Sequence, residues 1–261
     1  MYYKVILGNE ENDWLILFHG IGGSSNVWFK QVKELRKIFN LILVDLPSHG
    51  KSDNIDIKHG SSYSINGLVT DTKEFIYELC EKHDIKKFHL SGISLGTLLI
   101  HELLKDKKFN KSVLSAILVG GITKLNTRGK FLLSSAKLLK KVLPLKFLYP
   151  FLAHILLPYK NNIQSRSLFI KEAKKVEESE FQKWFYIVDE IEKIYNEEVY
   201  KSNNIRKLYI SGSQDVMFIN ELKNSIINDG DALFEVIENG GHVCNVDSNV
   251  EFNNLIKKHY L

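Results

Sequence analysis

The pentapeptide Gly92-Ile93-Ser94-Leu95-Gly96 is where residue types and spacing in this chain first point to chemistry. A serine hydroxyl is barely ionised at neutral pH. It becomes a nucleophile only beside a base and where the backbone presents it outward. Glycine on both sides suits a sharp strand-to-helix turn, because Cβ atoms there would collide with neighbouring backbone. Alone the pattern is weak, since G-x-S-x-G arises by chance ~0.1 times in a chain of this length. Its flanks strengthen it: Phe88-His89-Leu90-Ser91 reads as a strand leading in, and Thr97–Leu104 as a helix leading out.

The base must come from nine histidines. His242 follows Gly240-Gly241 and the apolar run Leu233–Ile237. It therefore falls in a loop at the carboxyl edge of a sheet, where open α/β sheets gather their sites. His19 also ends an apolar run, but it opens His19-Gly20-Ile21-Gly22-Gly23, whose glycines point to a use of backbone rather than of imidazole. His49, His59, His83, His101, His154 and His259 stand in polar or helical contexts that suit solvated or packed rings. A catalytic imidazole also needs a carboxylate to fix its tautomer and stabilise the imidazolium. Asp215, at the end of Ser211-Gly212-Ser213-Gln214-Asp215, leads the candidates; Asp229, Asp231 and Glu238 are alternatives in what read as surface turns.

The elements that must position these residues follow from the hydrophobic pattern. Tyr3–Leu7, Trp14–Phe18, Leu41–Asp45, Phe88–Ser91, Ser115–Val119, Leu208–Ser211 and Leu233–Ile237 read as strands. Most are apolar at consecutive positions, which fits strands buried on both faces of a parallel sheet. Helical stretches alternate with them: one is capped by Ser24-Ser25-Asn26 and runs through Val27, Phe29, Val32 and Leu35, and another covers Ile65–Cys80. From Thr123 to about Tyr200 the alternation stops, with a single glycine, Gly129, and three of the four prolines. The expected organisation is an α/β core over 1–122 and 201–261 with an inserted helical cap over 123–200.

Charge divides that cap. Arg128, Lys130, Lys137, Lys140, Lys141, Lys146 and Lys160 occur with no acidic residue among them, whereas Glu172 to Glu198 is mostly acidic with Phe181, Trp184, Phe185, Val188, Ile191 and Ile194 at helical spacing. Phe131, Leu138 and Val142 form one apolar row, and Leu132, Ala136, Leu139 and Leu143 its neighbour, with Lys130, Lys137 and Lys141 opposite. These rows suit a lid packed on the core, an acyl pocket, or weak contact with an anionic lipid surface.

Composition sets the bounds. The chain has 261 residues, 44% hydrophobic and 25% charged, with 35 basic against 31 acidic residues. That excludes a disordered chain and gives no reason to expect a nucleic-acid partner. Cys80 and Cys244 have no metal spacing and read as reduced thiols, Cys244 as a small buried filler. No targeting segment or membrane-spanning run is evident, so the expected location is cytoplasmic.

The order Ser94, Asp215, His242 is that of the α/β-hydrolases. The chain resembles a lidded member of that superfamily, similar to its small esterase, lactonase and peroxidase-like branch. His19–Gly23 resembles the oxyanion motif, Asp45-Leu46-Pro47-Ser48-His49-Gly50-Lys51-Ser52 the D-x-P-G-H-G-x-S loop, and Gly92–Gly96 the nucleophile elbow. Gly212 with Asp215 resembles the acid turn, and Gly241-His242 the base loop. Ser48 stands where the family has glycine, and Met217-Phe218 where proline often follows the acid. With only 13 residues before Trp14, the usual first strand is absent or shortened, leaving a mostly parallel sheet of about seven strands. The resemblance implies backbone oxyanion donors at Ile21 and Leu95. It also implies cleavage of carboxylic esters of small to medium apolar acids, with no cofactor or metal. Thioester or lactone hydrolysis by the same triad, and non-catalytic binding of a small molecule or lipid, are the alternatives.

Overall fold

The computed structural model describes residues 1–53, 55–59, 64–123, 127, 129, 134, 145–180, 183, 184, 186, 187, 190 and 203–261. Seven strands, β1 (Tyr3–Ile6), β2 (Trp14–Phe18), β3 (Asn40–Val44), β4 (Phe88–Ile93), β5 (Val113–Val119), β6 (Arg206–Gly212) and β7 (Ala232–Ile237), form one sheet in the order β1-β3-β2-β4-β5-β6-β7. β1 runs antiparallel to β3, and every other pairing is parallel. The sheet has the seven strands expected, and β1, four residues long at its edge, needs no crossover helix.

Consecutive apolar residues are explained by what covers each face. Ile16, Phe18, Ile42, Val44, Leu90, Ala116, Leu118 and Tyr209 point to one side, against the helices α2 (Ile65–Lys82) and α3 (Leu95–Leu103). Leu15, Leu17, Leu41, Leu43, Ile117, Val119, Leu208 and Ile210 point to the other, where Trp28, Leu35, Phe252 and Ile256 meet them. Leu35 belongs to α1 (Phe29–Leu35), and Phe252 and Ile256 to a helix at Asn249–Tyr260; the short α4 (Lys107–Asn110) precedes β5. Burial on both faces along the central strands β2 to β6 is the parallel-sheet signature read from the sequence.

Between β5 and β6 the described residues hold helices only: α5 (Leu145–Leu156), a 3₁₀ turn at Lys160–Asn162 and α6 (Ile163–Ala173). The basic stretch before α5 (Arg128, Lys130 and the two apolar rows from Phe131 to Leu143), together with Phe181, Phe185, Val188, Ile191 and Ile194, lies outside the described residues. The acidic part differs from a solvated face. Glu172 accepts from Ser24 Oγ, Glu180 from Ser48 Oγ and Glu190 from the Ile65 N–H, so three of its carboxylates bond core loops. Among the described residues no helix is long and apolar enough to cross a membrane.

The leading candidate residues and the loops around them lie past the carboxyl ends of strands. His19 follows β2, Asp45 follows β3, Ser94 follows β4, Asp215 lies beyond β6 and His242 beyond β7. Parallel strands aim all of these loops at one edge, the general reason that ligand sites of open α/β sheets collect there.

Candidate active site

Ser94 occupies the one residue between β4 and α3, with φ 55° and ψ −115°. A non-glycine residue there is strained by roughly 1–3 kcal/mol, which the surrounding contacts must hold. They do so tightly. The Ser94 N–H donates to the Val119 carbonyl at 2.9 Å, and the Thr97 hydroxyl donates to the Ser94 carbonyl at 2.6 Å. The flanking glycines answer to backbone: a Cβ on Gly92 would lie 2.4 Å from the Gly96 carbonyl oxygen, and one on Gly96 would lie 3.0 Å from the carbonyl oxygens of Phe18 and His19.

The His242 ring lies between two oxygens. Its Nε2 is 3.0 Å from Ser94 Oγ and its Nδ1 is 2.8 Å from Asp215 Oδ2. An ionised carboxylate only accepts, so Nδ1 carries the proton and Nε2 is left to accept from the serine hydroxyl. All three groups are buried, with Asp215 and His242 at 2% and 4% exposure. Two close approaches make room for the ring. A Cβ on Gly120, where φ is +54°, would stand 2.4 Å from the His242 carbonyl oxygen, and one on Gly212 would stand 2.1 Å from that of Gly240. Phe218, at a position where the resemblance leads one to expect a proline nearby, packs its ring 4.9 Å from the imidazole. The departure at Met217-Phe218 therefore leaves Asp215 within reach of His242 and adds an apolar wall to the imidazole.

The His19–Gly23 loop crosses directly over the serine. A Cβ on Gly20 would approach Ser94 Cβ to 3.0 Å and Oγ to 3.5 Å. Ile21 follows at once, while Leu95 is the first residue of α3, whose N–H has no preceding turn to bond. The loop is held by side chains whose roles the sequence reading missed. His19 Nε2 accepts from the Leu46 N–H at 2.9 Å, so its Nδ1–H donates to the Gly20 carbonyl at 2.7 Å. His49 Nε2 accepts from the Gly22 N–H at 2.9 Å, and its Nδ1–H donates to the Pro47 carbonyl. Both rings must be neutral to do this. Burial lowers the pKa of each, and for His49 burial and the neighbouring His19 bring it down to about 3. Asp45 accepts from the amides of Ser25 and Lys51 at 2.7 and 2.9 Å, and a Cβ on Gly50 would strike its carboxylate.

Of the three alternative acids, Glu238 is an exposed turn residue, and the other two bond elsewhere. Asp229 is buried rather than in a solvated turn, paired with the equally buried Lys207 at 2.9 Å. Asp231 accepts from the amides of Asn203 and Asn204. Ser48 is more than a neutral replacement for glycine: its φ is 62°, in the left-handed region, and its hydroxyl donates to Glu180 at 2.7 Å. Cys244 is fully buried beside Gly240, and burial pushes its thiol pKa well up, which keeps it inert. Among the described residues no three His, Cys, Asp or Glu side chains form a group able to hold a metal ion.

Residues 13–248 match the sequence model of the alpha/beta hydrolase fold family. Over 89 residues the chain is 34% identical to a pimeloyl-[acyl-carrier protein] methyl ester esterase from Aeromonas salmonicida, covering 34% of this chain and 31% of that one. The chain's matches to curated relatives span only between 20% and 31% of those relatives' lengths. Among solved structures, 2-hydroxy-6-oxo-6-phenylhexa-2,4-dienoate hydrolase from Rhodococcus sp. strain RHA1 superposes with a TM-score of 0.79 at 18% identity, over 97% of this chain and 92% of that one. A carboxylesterase structure from the thaumarchaeon Nitrososphaera gargenis gives 0.74 at 17% identity, over 99% and 93%. At such identities these structures share the fold with this chain.

Proposed function

Because this chain belongs to the α/β-hydrolase family, we propose that it is a serine hydrolase that cleaves carboxylic esters of small to medium apolar acids through an acyl-enzyme. The observation that carries this reading is the continuous series Asp215–His242–Ser94, at 2.8 and 3.0 Å, ending on a serine held at φ 55°. In the proposed reaction Ser94 Oγ attacks the ester carbonyl carbon while His242 Nε2 takes its proton. Asp215 keeps the Nδ1 proton in place and stabilises the imidazolium. The amides of Ile21 and Leu95 donate to the oxyanion, an interaction whose loss costs roughly 10² to 10³ in rate per donor. His242 then hands its proton to the departing alkoxide. Water repeats the cycle at the acyl carbon, giving its proton to His242 and releasing the acid.

The preference for an apolar acid rests on the surroundings of the serine. Phe218, whose ring lies 4.9 Å from the His242 imidazole, and Ile21, in the loop that crosses over Ser94, are apolar neighbours of the site. An acyl chain placed there loses water without leaving a charge unpaired. The esterase named above acts, by its name, on a methyl ester, which agrees with this class. Thioester or lactone hydrolysis would use the same groups; of the basic side chains in the inserted segment, Arg128, Lys130, Lys137, Lys140 and Lys141 lie outside the described residues.

A fluorophosphonate probe tests the reading, with the modified peptide located by mass spectrometry and a panel of p-nitrophenyl esters of graded chain length alongside. Stoichiometric modification at Ser94, absent in His242→Ala, is expected. Ser94→Ala is expected to lose on the order of 10⁴ or more in turnover. Retention of half the wild-type rate by that variant, or binding of ligands without acylation, would refute the assignment in favour of a non-catalytic binding protein.

A further inference from the structure

The loop that carries Ile21 has two supports, and only one of them is the sheet. From the core side, His19 holds the Gly20 carbonyl, His49 the Gly22 amide and Asp45 the Ser25 amide. The remaining groups turn toward the inserted helices. Ser24 Oγ donates to Glu172 Oε2 of α6 at 2.8 Å, while it accepts from the Asn26 N–H at 3.3 Å. The Ile21 side chain packs against Leu148, Tyr149, Ala173 and Val176, a cluster drawn from α5, the end of α6 and the residues just after it.

Glu172 is 3% exposed. A carboxylate taken out of water loses hydration that only specific partners restore, and apolar packing would serve a simple cover better. Its partners are Lys175 Nζ, one helical turn on at 2.8 Å, and, across the interface, the side chains of Ser24 and Asn26. The charge is therefore buried where it contacts the loop over the nucleophile.

We propose that Glu172 is a positioning residue for the oxyanion turn, so that the inserted helices complete the site that would bind the oxyanion rather than merely cover it. This rests on the serine-hydrolase reading above. Ser94, His242 and Asp215 are placed by strand ends, so withdrawing Glu172 leaves the triad assembled and loosens the turn bearing the Ile21 N–H. The oxyanion exists in the transition state and not in the bound ester, so the defect falls on kcat rather than on KM.

Glu172→Ala, Glu172→Gln, Ser24→Ala and the Ser24→Ala/Glu172→Ala double variant test this, with p-nitrophenyl butyrate as substrate and amide hydrogen exchange of the 19–26 peptide as a readout independent of turnover. Glu172→Ala is expected to lower kcat on the order of 10- to 100-fold with KM within about twofold, short of the 10² to 10³ for outright loss of a donor. Exchange in 19–26 rises while that in β4 and β5 does not. Glu172→Gln, which still accepts from Ser24, restores at least half of kcat, and the double variant is no worse than the poorer single. Ser165→Ala serves as control: Ser165 bonds Asp247 from the other end of α6, and its loss leaves exchange in 19–26 unchanged. Should Glu172→Ala not fold, Ser24→Ala carries the same expectations. Unchanged exchange in 19–26, a loss confined to KM, or Gln no better than Ala would each overturn the proposal. If wild-type protein is not acylated at Ser94, the hydrolase reading fails, whereas the exchange data still decide whether Glu172 orders the turn.

Discussion

Mild acid is expected to destabilise this protein through histidines that cannot be charged where they lie. His49 and His101 are fully buried in the native fold, and burial lowers both from 6.5 to about 3, with His19 and Lys207 respectively as the next cause. In the unfolded chain each titrates near 6.5, so the unfolded state binds protons that the folded state refuses. Their stabilising contribution is thus complete well above pH 6.5 and is lost as pH falls through 6.5 toward 3. One unit below the unfolded pKa each ring forfeits about 1.4 kcal/mol relative to pH 7.5, roughly 3 kcal/mol for the pair at pH 5.5. His19, lowered in the same way, adds to this, while the exposed His59, raised by Asp71, works in the opposite direction. A loss of that size is a large part of a typical 5–15 kcal/mol. The carboxylates of Glu34 and Asp106, held at about 2 by Lys257 and Lys73, matter only at lower pH. Urea unfolding followed by circular dichroism at pH 7.5 and 5.5 measures the difference directly, and His49→Gln should shrink it by about 1.4 kcal/mol. Equal stability at the two pH values, or an unchanged difference in His49→Gln, would show that these rings are not buried as neutral acceptors.

The remaining predictions concern single positions. Asp215→Asn is expected to fold and to lose on the order of 10⁴ in kcat, because an amide facing Nδ1 favours the wrong tautomer; full activity would send the search to another carboxylate. Gly120→Ala is expected to unfold at least 5 °C lower, or not to fold, since φ is +54° and the added Cβ would stand 2.4 Å from the His242 carbonyl oxygen; a melting temperature within 1 °C of wild type contradicts that geometry. At Ser48 two effects oppose. Ser48→Gly relieves a left-handed φ worth about 1 kcal/mol but loses the bond to Glu180, whereas Ser48→Ala keeps the strain and loses the bond. Ala is therefore expected to melt below both Gly and Ser, and the reverse order would refute the account.

Much of the molecule was legible in the sequence because its causes are local. Consecutive apolar residues at Trp14–Phe18 and Leu41–Val44 announce strands covered on both faces, and they are so covered. Gly92 and Gly96 announce a turn with no room for Cβ, and the backbone oxygens that exclude one lie 2.4 and 3.0 Å away. The chain order of Ser94, Asp215 and His242, each after a strand run, was enough to nominate all three, since parallel strands deliver such loops to one edge.

What the sequence could not reveal depends on groups far apart in the chain. His19 and His49 look like any loop histidines; only the fold sets the Gly22 amide against one ring and the Leu46 amide against the other. Asp229 reads as a solvated turn residue until strand pairing buries Lys207 beside it. Glu172, one acid among many in its segment, is distinguished only by a partner 148 positions away. Hydrophobic period and glycine placement act over a few residues and survive in one dimension. Tautomer, ion pairing and the fate of a buried charge depend on which dipoles surround a group, and chain closure in three dimensions alone decides that.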